Sequence, residues 1–225
     1  GGQELWDELS AGFKIKPFMA GNTGVQMGGW FAKEVNTLED FKGLKFRMPG
    51  IGGEVLRRLG VAAVALPGGE IFPALQSGAI DGTEWVGPWN DLAFGFYKIV
   101  KNYYYPGFHE PGTALGVGLN LDMWNSLNSG QQQLIASACA AENGVTLAEF
   151  NAKNGAALKV LVEEHGVKVH KFSNELLNAI GRISGEVVAE VGNTDPMTKR
   201  IYDSFLASRK SSIGWSKLSD QSYWN

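Results

Sequence analysis

Arg47, Glu84 and Glu110 are the side chains in this sequence whose types combine into usable chemistry. A guanidinium offers a planar fork suited to a bidentate grip on a carboxylate, and two carboxylates offer hard oxygens of the kind that hold a sodium or calcium ion. Together the three could bind an anion and a cation side by side. No nucleophile accompanies them, because Gly-x-Ser-x-Gly and His-Glu-x-x-His are both absent. The three histidines are not paired at metal-binding spacing, and His165 and His170 read as solvated residues flanking a helix-to-strand turn. Gly50–Gly53 is glycine-rich ahead of a helix, yet it matches neither phosphate-binding glycine pattern. Taken singly, each of the three also reads as an ordinary surface or salt-bridge residue. The case therefore rests on where the surrounding elements place them jointly.

Leu66–Trp89, LPGGEIFPALQSGAIDGTEWVGPW, reads as a strand end, a helix and a second strand that finishes on Glu84 beside Trp85. Ile71, Phe72, Leu75, Ala79 and Ile80 recur at helical spacing, and Asp81-Gly82 is expected to close the helix through a left-handed glycine. Upstream, Leu44–Met48 alternates as a strand bounded by Gly43 and Pro49-Gly50, and Glu54–Leu59 reads as a helix ended by Gly60. Strand, helix and strand thus alternate up to Val86, which argues for βαβ units and a largely parallel sheet. In such sheets ligands sit beyond the carboxyl ends of the strands, where Arg47 and Glu84 both fall.

Further expectations follow from periodicity and capping. Gln3–Ser10 ends a helix, Phe13–Met19 is a strand running into the turn Gly21–Gly24, and Thr37 with Asp40 forms a capping box. Ala114–Leu121 is another strand, and from Asp122 onward the pattern is mainly helical. Met123–Leu127, one or two helices over Gly130–Glu164, Ser173–Val191 and a helix opened by Asp195-Pro196 follow, with a short strand at Val167–His170.

The chain has 225 residues with 44% hydrophobic content, enough to bury a sizeable core. A net charge of −3 gives no electrostatic footprint for nucleic acid or an anionic membrane surface. Cys139 stands alone in an apolar run and reads as a buried structural thiol. No segment approaches the roughly 18–20 consecutive apolar residues of a membrane span.

Four segments carry a resemblance: GNTGVQMGGWF, LKFRMPGIGGEVLRRLG, LPGGEIFPALQSGAIDGTEWVGPWNDL and YYYPGFHEPGT. In them the chain resembles the extracytoplasmic solute receptors of TRAP transporters (DctP family), in the branch that binds 2-oxo and 2-hydroxy acids. The resemblance implies an α/β, two-lobe periplasmic-binding-protein-like fold of type II, with long helices in the C-terminal part. It implies a division into residues 1–21 as remainder of lobe one, 22–115 as lobe two with hinge strands, and 116–225 as the return to lobe one. Members of the family carry a long segment before the equivalent of Gly1, so lobe one is expected to be incomplete here at its N-terminus, and no signal sequence is present in this chain.

By the same resemblance, Arg47 grips the substrate carboxylate, with Trp85, Gln26 and Glu84 around the substrate. Side-chain oxygens of Gln26, Glu84 and Glu110 and the backbone carbonyl of Trp85 hold a bridging metal ion, sodium or calcium, and no organic cofactor. The implied protein is a periplasmic, non-enzymatic receptor for a small carboxylate of the pyruvate, lactate or 2-oxo acid class. Its implied partners are the membrane subunits of the transporter and, through exchange of the C-terminal helix, a second copy of itself. A metal-dependent enzyme acting on a small organic acid, with Glu84 or Glu110 as base, and a ligand-sensing module of the same fold are the competing readings.

Overall fold

The computed structural model describes residues 1–223. Its helices are α1 (Gly2–Ala11), α2 (Leu38–Phe41), α3 (Gly50–Arg58), α4 (Gly68–Ser77), α5 (Pro88–Phe94), α6 (Leu121–Ser126), α7 (Ser129–Glu163), α8 (Asn174–Gly192) and α9 (Pro196–Ser216). The strands are β1 (Ile15–Asn22), β2 (Gly29–Phe31), β3 (Lys45–Arg47), β4 (Ala62–Val64), β5 (Gly82–Thr83), β6 (Asn102–Tyr105), β7 (Ala114–Asn120) and β8 (Lys168–Lys171). The mixed α/β class matches the expectation. The chain divides into two compact units, one made of residues 1–18, 117–136 and 188–225, the other of 19–116 and 137–187. The expected division placed its boundaries after residues 21 and 115 and returned all of 116–225 to lobe one. In the structure residues 137–187 pack with 19–116, because Leu161 of α7 and Leu176 and Ile180 of α8 are buried in that unit's core.

The larger unit is built on a six-stranded sheet in the order β4-β3-β5-β2-β6-β8. Strands β3–β4, β3–β5 and β6–β8 pair in parallel, whereas β2 runs antiparallel to both β5 and β6. The expectation of a largely parallel sheet holds for five of the six strands, and β2 alone runs the other way, which makes the sheet mixed. Period-two alternation then assigns the large aromatics to faces. Phe31 and Tyr104 join Phe46 and Phe172 on the face covered by α3 and α8, while Trp30 and Tyr103 join Phe96 on the face covered by α4 and by Leu161 of α7. Trp30 and Tyr103 stack with centroids 4.0 Å apart. Cys139 is a buried free thiol, as expected.

Two glycines show where local pattern misled. Helix α4 ends at Gly78, whose φ of +72° supplies the left-handed cap expected at Gly82. Gly82 instead lies in β5, where an added Cβ would come within 2.5 Å of the Trp30 carbonyl and 2.8 Å of the Phe46 ring. Its role is close approach of β5 to β2, and that approach sets the level at which Glu84 leaves the sheet. Strand β1 also runs through to Asn22, so residues 21 and 22 are strand and not the expected turn. The Thr37–Asp40 capping box is present.

In the smaller unit α1 packs on α9, and Arg200 of α9 reaches Glu8 of α1 through two hydrogen bonds of 2.6 and 2.9 Å. Asp195 caps α9 by accepting from the Met197 and Thr198 amides, with proline at the first helical position. Among the described residues no helix is long and apolar enough to cross a membrane.

Candidate ligand site

Arg47 is the last residue of β3, and Glu84 follows β5 directly. Because β3 and β5 are parallel neighbours in register, both residues leave the sheet at the carboxyl edge of adjacent strands. Arg47 is 7% exposed and Glu84 5% exposed, so this is a buried ion pair. Arg47 Nη1 donates to Glu84 Oε1 and, at 3.3 Å, to the Glu84 carbonyl, while Nε donates to the Leu66 carbonyl at 3.1 Å. Its Nη2 makes no hydrogen bond among the described residues. The guanidinium lies over the Trp85 ring at 5.4 Å, and that ring packs against Phe94 and over Gly68, where a Cβ would fall 2.7 Å from it.

The other Glu84 oxygen, Oε2, lies 3.1 Å from His109 Nε2. A carboxylate can only accept, so the proton of this contact belongs to Nε2. His109 is a residue that sequence reasoning missed. The available signal was its position directly before Glu110 in the loop after β6.

Gln26 is 3% exposed. Its Nε2 donates to Thr23 Oγ1 at 3.0 Å and to Thr113 Oγ1 at 2.6 Å. The Thr113 hydroxyl in turn donates to Glu110 Oε2, so Thr113, also missed, ties Gln26 to Glu110. The loops that carry these groups are laced by backbone bonds: Met27 N–H to the Val86 carbonyl at 3.0 Å and Gly107 N–H to the Gln26 carbonyl at 3.1 Å. The structure thus brings Arg47, Glu84 and Trp85 together directly and joins Gln26 to Glu110 through one hydroxyl. Glu110 itself is exposed.

Two oxygens of this region are left without a donor. Gln26 Oε1 is buried and unpartnered. The Trp85 carbonyl accepts no hydrogen bond among the described residues, although the carbonyls of Glu84 and Val86 on either side are both taken. An unpaired buried oxygen such as Gln26 Oε1 is costly unless something positive meets it, and a hard cation is such a partner. Among the described residues no three of His, Cys, Asp and Glu converge on a point, so a cation here would take mixed amide, carbonyl and carboxylate oxygens. The donor chemistry fits sodium or calcium.

Asp91, on α5, underlies the same segment and was not foreseen. It is 1% exposed and accepts from Trp30 Nε1 at 2.8 Å, Tyr103 Oη at 2.7 Å and the Val86 amide at 3.1 Å. Burial pushes its carboxyl up to about 6 from the ordinary 3.8, against the pull of those three donors and with a further upward push from the Glu84 charge. A group whose folded value is raised takes up a proton on folding. Its stabilising contribution is therefore complete below about pH 4 and is lost as pH rises through 6, an effect of about 3 kcal/mol for a difference of this size. Asp91→Asn is expected to remove that component, so that wild-type minus variant stability, from denaturant titrations between pH 4 and 8, falls with rising pH. A pH-independent difference would refute the assignment.

Residues 2–195 match the family described as bacterial extracellular solute-binding protein, family 7 (DctP). Over 225 residues the chain is 42% identical to the monocarboxylate 2-oxoacid-binding periplasmic protein of a Nostoc species, covering 100% of this chain and 62% of that protein. Among solved structures, the TRAP periplasmic solute-binding protein from Pseudoalteromonas atlantica, with bound sodium and pyruvate, is 40% identical with a TM-score of 0.94, covering 100% of this chain and 68% of its own. The corresponding protein from Colwellia psychrerythraea, with bound calcium and pyruvate, is 39% identical with a TM-score of 0.95 at the same coverage. The chain thus spans under two thirds of the length of the curated Nostoc relative. A match over most of the sequence, on a fold shared with solved receptors, means that the chain belongs to the DctP family of TRAP transporter solute-binding proteins.

Proposed function

We propose that this chain forms the ligand-binding part of a periplasmic TRAP receptor that captures a small 2-oxo or 2-hydroxy monocarboxylate together with sodium or calcium, and presents it to the transporter's membrane subunits. The observation that carries the reading is a buried arginine with an uncommitted Nη2, stacked on Trp85 and adjoining loops that hold unpaired oxygens. Arg47 receives the ligand carboxylate. Gln26, Glu84 and Glu110 through side-chain oxygens, and Trp85 through its carbonyl, hold the cation, and the cation bridges to the ligand. The Trp85 ring walls the pocket and favours a flat, short acid. No bond is made or broken, so no residue is assigned a catalytic role. The relatives that bind pyruvate with sodium or with calcium support both the ligand class and the choice of cations. The exposed Phe205 and Leu206 of α9 are compatible with a second copy packing there.

The test is a thermal-shift and calorimetric titration of the full-length protein with pyruvate, lactate and longer 2-oxo acids, with and without sodium or calcium. Ligand at about 100 times its dissociation constant stabilises by about 2.7 kcal/mol, a rise of about 5–10 °C for a protein of this size. Cation-dependent stabilisation by one acid with no product formed is the expected result. Turnover of the acid would favour an enzyme, and indifference to every acid would refute the receptor reading.

A further inference from the structure

A buried carboxylate is expensive, and a fold that keeps one needs a reason in its partners. Asp91 spends its oxygens in a specific way. Oδ2 is held by the indole N–H of Trp30 and the hydroxyl of Tyr103, two rigid aromatics stacked on one another in the core. Oδ1 is thereby aimed at the Val86 amide, 3.1 Å away. The peptide bond between Trp85 and Val86 is planar and trans, so its N–H and C=O point in opposite directions. Fixing the Val86 N–H on Asp91 therefore turns the Trp85 carbonyl away from the core, and the peptide cannot rotate without breaking that bond.

The flanking peptides are committed differently. The Glu84 carbonyl accepts from Thr83 Oγ1 at 2.8 Å and from Arg47, and the Val86 carbonyl accepts from the Met27 amide. Of these three successive carbonyls, the middle one alone is left without a donor among the described residues. We infer that Asp91 is a positioning residue, which holds the Trp85 carbonyl outward as a preformed cation ligand by anchoring the opposite end of the same peptide. The inference rests on the reading of Trp85 as a cation ligand and adds to it the device that sets the ligand's direction. Rigid support of this kind stands behind metal ligands generally, and its loss typically costs about 10–100-fold in metal affinity.

The experiment compares wild type, Asp91→Leu and Asp91→Asn in the full-length protein, measuring calcium affinity by calorimetry and Val86 amide exchange by NMR without cation. Leucine removes both acceptors, whereas asparagine keeps one oxygen, which accepts from Val86 when its Nδ2 turns to the Tyr103 hydroxyl, a group that also accepts, and Trp30 Nε1 then goes without its partner. Asp91→Leu is expected to lose Val86 protection and about 10–100-fold in calcium affinity, and Asp91→Asn to recover part of both. Should the leucine protein fail to fold, Tyr103→Phe, which frees one side of Asp91, is expected to show the same paired losses in smaller measure. Unchanged affinity where Val86 protection is lost would overturn the inference, as would a loss equal to leucine's in an asparagine protein that keeps Val86 protection, which would point to charge rather than orientation. A wild-type protein that binds no cation would instead overturn the ligand-site reading itself, so the two failures are distinguishable.

Discussion

Arg47→Ala is expected to weaken pyruvate binding by about 10²–10³-fold, since truncating one member of a buried, hydrogen-bonded charge pair costs about 2–5 kcal/mol at roughly 1.4 kcal/mol per tenfold. The geometry explains why the loss should be this large. The guanidinium is desolvated, pinned through Nε to the Leu66 carbonyl and seated on Trp85, so it meets a carboxylate without having to be ordered first. Arg47→Lys is the sharper variant. Lysine keeps the charge near Glu84 but has no fork, so it should preserve most of the stability and still lose at least tenfold in affinity if the grip is bidentate. Calorimetry beside a melting curve separates the two effects. Full affinity in the lysine protein would mean that Arg47 supplies charge alone, and full affinity in the alanine protein would remove it from the site.

Much of this was legible in the sequence because local rules and the fold agree. Arg47 and Glu84 each precede a break after a short apolar strand, so their shared position at the sheet edge followed from the alternation of elements alone. The long helices from Ser129 onward, the capping box at Thr37, the Asp195 cap and the strand at Lys168–Lys171 follow from periodicity and end signals in the same way. What was not legible depends on contacts between distant segments. The reversal of β2 is set by its pairing with β5 and β6, and nothing in Gly29–Phe31 records a direction. Gly82 looks like a helix terminator until Trp30 and Phe46 are seen pressed against it. His109, Thr113 and Asp91 are functional candidates only through partners that lie 25, 87 and 61 positions away, on Glu84, Gln26 and Trp30. Each is an ordinary loop or helix residue when read by itself.

Glu84 offers the clearest separation of stability from function. Glu84→Leu leaves the Arg47 guanidinium buried without its carboxylate and removes the partner of His109, so it is expected to cost about 3–5 kcal/mol and to lower the melting temperature by about 10 °C. It should also abolish cation-dependent pyruvate binding. Adding Arg47→Met changes one of these results and leaves the other. With both charges gone, apolar side chains of similar volume fill the space between β3, β5 and Trp85, and replacement of a whole buried pair is often neutral or stabilising. The double variant is therefore expected to recover the part of the melting temperature lost to the unpaired Arg47, the His109 contact staying broken, while binding neither cation nor acid. That outcome would mean the pair is kept for its ligand, since the fold stands as well without it. A double variant as unstable as Glu84→Leu would assign the pair a structural role instead, and a double variant that still binds pyruvate would place the site elsewhere.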